Sequence, residues 1–394
     1  MELSLNLAQS LSLAVIALLI GIFLKNRISF LTKYFIPTPV VGGLVIALII
    51  LIGYQTSLYT VNIDQTITPL LLILFFTAIG FSFSVKDLKK TGIIGLKLGI
   101  LIIVLMIIQN GITPLLAMLT GIDPLLALTM GSMSLTGGPG TSAAFGPTLE
   151  EIGVANATLV ALSASTFGLV LGSLIGGPIA NFLIKKKKMK PSKETVESEL
   201  NIGGDTDELG EKSLMNSTMY LLFAMGLGTI LVYFLNMTGF VWPDYVGGLF
   251  IAAIMRNVLD AMNIKVNLRA INLLGAISLN LFLALTIMDL EIWHLFNLAL
   301  PMIIILAIQT LLVMLFAIFV IYKVMGKNYD AVVMSSGISG VGLGSTPNAV
   351  ANMEAVIEEN GPSPNSMIIL PVIVAVVLSA TNPVVITIFI NLLK

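Results

Sequence analysis

The chain has 394 residues, 57% apolar and only 10% charged, with a mean hydropathy of +1.01 and a formal net charge of −1. Soluble domains carry about 25% charged residues, so the composition excludes a soluble globular protein and indicates a polytopic membrane protein. The near-zero net charge excludes the basic field that nucleic-acid binding needs. The absence of cysteine, with a single histidine at His294, excludes disulfides, thiolate nucleophiles and Cys/His metal centres.

Apolar segments long enough to span a bilayer fall at 8–24, 36–53, 67–84, 93–118 and 154–184. No cleavable signal peptide is expected, because Lys25 and Arg27 follow the first apolar segment instead of preceding it. Between the fourth and fifth segments, residues 122–150 hold Gly137-Gly138-Pro139-Gly140-Thr141-Ser142. Glycine and proline at this density break a helix. Broken backbone at membrane depth leaves N–H and C=O groups that lipid cannot satisfy, so it must face protein or a water-filled cavity.

A polar stretch, 185–213, begins with Lys185 to Lys188 and continues in Ser, Glu, Asp and Gly; it reads as a surface linker. Five more apolar segments follow at 214–236, 244–262, 270–288, 297–322 and 363–393. Residues 331–357, between the last two, hold a second broken stretch, Ser339-Gly340-Val341-Gly342-Leu343-Gly344-Ser345-Thr346-Pro347-Asn348.

The two halves repeat. Val41-Gly42-Gly43-Leu44 recurs as Val246-Gly247-Gly248-Leu249, Gly138-x-Gly140-Thr141 as Gly342-x-Gly344-Ser345, and Leu149-Glu150-Glu151-Ile152-Gly153 as Ile357-Glu358-Glu359-Asn360-Gly361, all about 205 positions later. Lysine and arginine in short loops set orientation. Lys25, Arg27 and Lys33, then Lys86, Lys89 and Lys90, then the Lys185 cluster, Arg256, Lys265, Arg269, Lys323 and Lys327 all belong inside. Both termini are then outside and the linker is cytoplasmic. An odd number of spans per half inverts the second half relative to the first. The expected fold is an all-α polytopic membrane protein of two inverted repeats, 1–184 and 214–394. Each has five transmembrane helices and a re-entrant hairpin, at 122–150 and 331–357, entering from opposite faces.

Paired breaks in matching places of two halves point to a transporter binding site. Half-helix N-termini offer unpaired N–H groups and a favourable dipole to anions. Gly138, Gly140, Thr141 and Ser142 of the first break are the substrate-binding candidates, with Gly342, Gly344, Ser345, Thr346 and Asn348 of the second. Hydroxyls and carbonyls suit a hard cation, so Thr136, Ser339 and Ser379 are candidates for Na⁺. In the last span Asn382 beside Pro383 is expected to face the cavity. Gln109 and Gln309, in the fourth span of each half, either line that cavity or bond between helices. Gly168, Gly172 and Gly176 form a helix-packing face. Arg256, Asp260 and Asp289 lie near span ends and are expected in loops or snorkelling to the interface. Few charges lie within the spans, so an acidic substrate would be held by dipoles and neutral donors. No Ser–His pairing or cofactor fingerprint survives inspection, so no enzyme is expected.

The segments Ile36-Pro37-Thr38-Pro39-Val40-Val41-Gly42-Gly43-Leu44, Gly137 to Thr141, Asn156-Ala157-Thr158, Thr166 to Gly172, Met325-Gly326-Lys327-Asn328-Tyr329-Asp330-Ala331 and Gly342 to Pro347 resemble the bacterial sodium/glutamate symporter family, over nearly the whole length. The resemblance implies a secondary transporter in the bacterial cytoplasmic (inner) membrane. It would import L-glutamate with Na⁺ as coupling ion by alternating access, as a homodimer with an elevator-like moving domain. A transporter of another amino acid or a dicarboxylate, and an ion channel built on paired re-entrant loops, are the alternatives.

Overall fold

In the computed structural model, residues 2–187, 209–239, 242–290 and 295–394 are described. Most of the 185–213 linker and His294 lie outside them. The first half runs α1 (Leu7–Arg27), a short α2 (Ser29–Lys33), α3 (Thr38–Gln55), α4 (Thr68–Phe81), a short α5 (Val85–Lys90), α6 (Gly92–Thr120), a short α7 (Pro124–Leu128), α8 (Gly138–Glu151) and α9 (Ala157–Lys187). The second runs α10 (Glu211–Asn236), α11 (Asp244–Ala261), α12 (Leu268–Met288), α13 (Leu295–Phe316), α14 (Tyr322–Val324), α15 (Tyr329–Leu343), α16 (Thr346–Asn360), α17 (Pro364–Ile373) and α18 (Ser379–Leu393). π-Helical turns at Ala317–Ile321 and Val374–Leu378 join α13 to α14 and α17 to α18. Among the described residues the only strands are Glu2–Ser4 and Thr60–Asn62, paired in parallel.

Each of the ten expected apolar segments is a helix. Among the described residues, eight helices are long and apolar enough to cross a membrane by length and composition. The two that fall short are α4, with 14 residues, and α11, which carries Asp244, Arg256 and Asp260. These two pack against each other and against the long helices around them.

The packing is reciprocal between the halves, and the repeated Gly-Gly pair explains how. α3 lies between α1 and α12, while its counterpart α11 lies between α10 and α4. A Cβ at Gly42 would sit 1.7 Å from the Ala17 carbonyl oxygen, and one at Gly247 2.1 Å from that of Gly228. The following glycine faces the other neighbour: a Cβ at Gly43 would meet Ile287 at 2.9 Å, and one at Gly248 the Thr77 hydroxyl at 2.4 Å. Two adjacent positions without side chains let one helix be clasped on both sides.

The Gly168/Gly172/Gly176 face also packs tightly. It lies against α15 and α16, with the Leu343 carbonyl oxygen 2.2 Å from a Cβ at Gly168 and the Asn352 amide 2.4 Å from one at Gly176. Arg256 departs from the sequence expectation. It does not snorkel: it is 9% exposed, its Nε lies 3.1 Å from Asp260 Oδ2, and its guanidinium reaches Asp87 at 3.9 Å. Ser84 also donates to Asp260 at 2.8 Å. Asp260, one turn on in the same helix, and Asp87 from α5 make burial of this cation tolerable, and the second of these cannot be read from spacing along one helix.

Candidate functional site

Both breaks are where the sequence places them, and each starts a helix. Gly138 has φ +68, a left-handed conformation that only glycine adopts freely. It lets the chain turn directly into α8. Ser345, in extended backbone, precedes α16. Each helix carries a proline in its first turn, Pro139 and Pro347, where a missing N–H costs nothing. Neither start has a side-chain cap, which leaves first-turn N–H groups for a ligand.

The breaks touch: a Cβ on Gly138 would lie 3.0 Å from the Gly344 carbonyl oxygen. Around them is a cavity of about 320 Å³, at the small end of the range for small-molecule sites. Thr136 to Thr141 line it from the first break and Gly344 to Pro347 from the second. Ser379, Asn382 and Pro383 of α18 close one side. Phe75, Phe76 and Ile79 of α4, Leu279 of α12, and Val374 and Leu378 complete the wall. Among the described residues, no charged side chain lines it.

A buried amide network holds the breaks in place. Gln109 of α6 donates through Nε2 to the Gly342 carbonyl at 2.8 Å, and its Oε1 accepts from the Thr136 hydroxyl. One side chain thus ties both breaks to one helix. Gln309 of α13 donates to the Gln109 carbonyl at 2.8 Å. The two glutamines bond between helices and do not line the cavity. Asn110 accepts from Ser132 N at 2.7 Å, and Asn382 accepts from the Ser132 hydroxyl at 2.8 Å. Asn382 is therefore pinned with one edge on the cavity.

Nine candidate residues border the cavity: Gly138, Gly140, Thr141, Gly344, Ser345, Thr346 and Asn382, with Thr136 and Ser379 from the cation set. Four sit behind it. Ser142 donates to Ser134 Oγ at 3.1 Å, Ser339 to the Ser336 carbonyl at 2.6 Å, and Asn348 to the Leu169 carbonyl at 2.8 Å. Gly342 lies inside α15 with its carbonyl on Gln109. The reason for Gly342 is a register step. Up to the break the halves match about 204 positions apart, whereas Pro139 and Pro347, like Leu149 and Ile357, are about 208 apart. The first arm of the second hairpin is therefore about one helical turn longer, and Gly344, not Gly342, stands at the break.

The aromatic wall escaped the sequence reading, since apolar residues facing a cavity look the same as those facing lipid. Phe76 stacks on Tyr245 with ring centroids 4.7 Å apart, and Phe145 meets Tyr245 edge-on at 5.2 Å. With Phe282 these rings are fully packed. On their far side Tyr245 and Phe282 floor a second cavity of about 340 Å³, which also reaches Thr68, Glu151, Trp242 and Asp244. A layer of aromatic side chains from four helices thus separates it from the central cavity.

Residues 3–362 match the family model described as sodium/glutamate symporter. The chain belongs to the sodium/glutamate symporter family. Among curated members, the sodium/glutamate symporter of Escherichia coli (strain K12) is 39% identical over 386 residues, covering 96% of both chains, and that of Shigella flexneri matches equally. The sodium/glutamate symporter of Haemophilus influenzae is 36% identical over 387 residues, covering 95% of this chain and 94% of its own. Among solved structures, a sodium proton antiporter of Methanocaldococcus jannaschii aligns over 99% of this chain and 98% of its own, at 14% identity and a TM-score of 0.43, too distant a likeness to bear on function. Membership of the symporter family makes the chain a multi-pass membrane transporter and not an enzyme.

Proposed function

We propose that this chain imports L-glutamate with Na⁺ across the bacterial cytoplasmic membrane by alternating access, and that the central cavity is the shared site. The observation that carries the reading is the meeting of two broken helices, one from each half, in a small uncharged cavity. First-turn N–H groups of α8 and α16 and the hydroxyls of Thr141, Ser345 and Thr346 would receive the substrate carboxylates, with Asn382 on the opposite wall. Thr136, Ser379 and neighbouring carbonyls would take Na⁺. Ser142, Ser339, Gly342 and Asn348 would hold the tips in place from behind.

The topology of two inverted five-span repeats with re-entrant hairpins belongs to the same proposal. Segments assigned to one side of the membrane meet one another. The N-terminal strand pairs with Thr60–Asn62, both assigned outside. The loop at Ser84 and Val85 bonds to Asn257 and Asp260, both assigned inside. A homodimer with an elevator-like moving part follows from the family resemblance.

The test is uptake of labelled glutamate by proteoliposomes with and without a Na⁺ gradient. Uphill, saturable, Na⁺-dependent uptake is expected. Full uptake with K⁺ replacing Na⁺, or none at all, would overturn the proposal, and non-saturable downhill flux would favour a channel. Competition by aspartate and dicarboxylates separates glutamate from other anions.

A further inference from the structure

One side of the central cavity is made of oxygens that can only accept. The Gly342 carbonyl has no proton to give, so the end of Gln109 that meets it at 2.8 Å is the amide nitrogen, and Oε1 is left to the Thr136 hydroxyl. An amide oxygen also only accepts, so Thr136 donates its single proton there. Gln109 is fully buried, which fixes this polarity. Thr136 therefore borders the cavity with lone pairs alone. Ser379 reaches the same state by other means. Its hydroxyl donates back to the Val374 carbonyl at 3.4 Å. Its own carbonyl is uncovered, because Pro383 lies four residues on inside α18 and has no N–H to return the helical bond. Both Ser379 and Pro383 line the cavity. The last helix also lies against the first break: a Cβ on Gly137, next to Thr136, would stand 2.6 Å from Asn382 Nδ2.

Lone pairs without protons suit a positive group and do not suit a carboxylate, which is itself an acceptor. On the reading that the central cavity is the transport site, we infer that Thr136 and Ser379 form a subsite for a positive charge, and that Pro383 is a positioning residue for it, uncovering the Ser379 carbonyl. Na⁺ and the ammonium group of an amino-acid substrate share that chemistry. Among the described residues no acidic side chain lines the cavity, so the countercharge for this subsite comes from the substrate carboxylates. Opposite charges held close together away from water attract strongly. Each then raises the affinity of the cavity for the other, which couples them with no charged residue between.

Pro383→Ala tests the uncovered carbonyl, since alanine returns the N–H and favours the helix. Uptake of labelled glutamate by proteoliposomes is read as the Na⁺ concentration for half-maximal uptake, the KM for glutamate, and competition by glutarate, which is glutamate without its ammonium group. Uptake by the parent chain tests the transport reading; comparison of each variant with that parent tests the subsite. With Na⁺ in the subsite, Pro383→Ala should raise the Na⁺ half-saturation about tenfold, the effect of losing one bond to a charged group, and leave the advantage of glutamate over glutarate unchanged. With the ammonium there, that advantage should fall about tenfold while the Na⁺ value holds. Thr136→Val should move the same quantity as Pro383→Ala, and Thr136→Ser, which keeps the hydroxyl, should stay near the parent. A variant that melts like the parent but carries nothing is read instead by binding of labelled glutamate in detergent across the same Na⁺ range. An unchanged Na⁺ half-saturation together with an unchanged advantage over glutarate, in Pro383→Ala or in Thr136→Val and whether or not KM moves, would overturn the inference.

Discussion

Gln109 shows how one buried amide can organise a site it does not line. Its two ends hold the Gly342 carbonyl and the Thr136 hydroxyl, one from each break. Both amide ends are used, in a chain position where water cannot replace them. Gln109→Ala should leave two buried polar groups unpaired, at about 1–3 kcal/mol each. The expected result is a lower melting temperature in detergent together with loss of glutamate uptake. An unchanged melting temperature would show that other groups satisfy Gly342. Residues of this kind were half legible in the sequence. The polarity of Gln109 and Gln309 within apolar runs marked them, but the choice between lining a cavity and bonding across helices depends on neighbours distant in the chain.

At the scale of the element, the two helix–break–helix units differ in how they meet the cavity. A Cβ on Gly140 would lie 3.3 Å from Leu279 Cδ1 and from Phe75 Cε1, both flexible side-chain ends. Gly140→Val should therefore fold, fill the cavity and abolish uptake. Gly138 is different: its φ of +68 is strained for any side chain, and the Gly344 carbonyl is close. Gly138→Val should cost about 1–2 kcal/mol in backbone strain alone, lowering stability as well as uptake. Thermal melts alongside uptake separate the two, and equal melting temperatures would argue against the left-handed turn as the device that starts α8. The breaks were visible in the sequence because glycine and proline have local conformational effects. The longer arm of the second hairpin was not, since an extra turn shows only as a small change in repeat offset.

For the whole molecule, the aromatic layer of Phe76, Phe145, Tyr245 and Phe282 closes the central cavity from the second cavity, while Ile79 and Val374 continue its wall the other way. In the proposed orientation the aromatic layer lies between the central cavity and the outer face, so the inward-facing state is the one proposed for this arrangement. The chain contains no cysteine, so Ser345→Cys would supply a single thiol. A membrane-impermeant thiol reagent should label it faster from the cytoplasmic side in inside-out vesicles than from outside in right-side-out vesicles. Adding Phe76→Ala and Tyr245→Ala should raise the outside rate. Equal rates from both sides in the parent would remove the aromatic layer as a barrier.

The amino-acid sequence by itself determined the membrane class, the ten apolar helices and the two breaks. Each follows from a local rule: lipid demands long apolar runs, and Gly-Pro clusters end helices wherever they occur. Only the tertiary structure decided which polar groups face the cavity. Ser142, Ser339 and Asn348 are polar and lie near the breaks, yet helix rotation turns them to Ser134, Ser336 and Leu169. It likewise buried Arg256 against Asp260 and Asp87, and set Phe76 on Tyr245. Helix rotation is fixed by close packing against elements remote in sequence, such as the α9 glycine face against α15 and α16, and no local pattern encodes it.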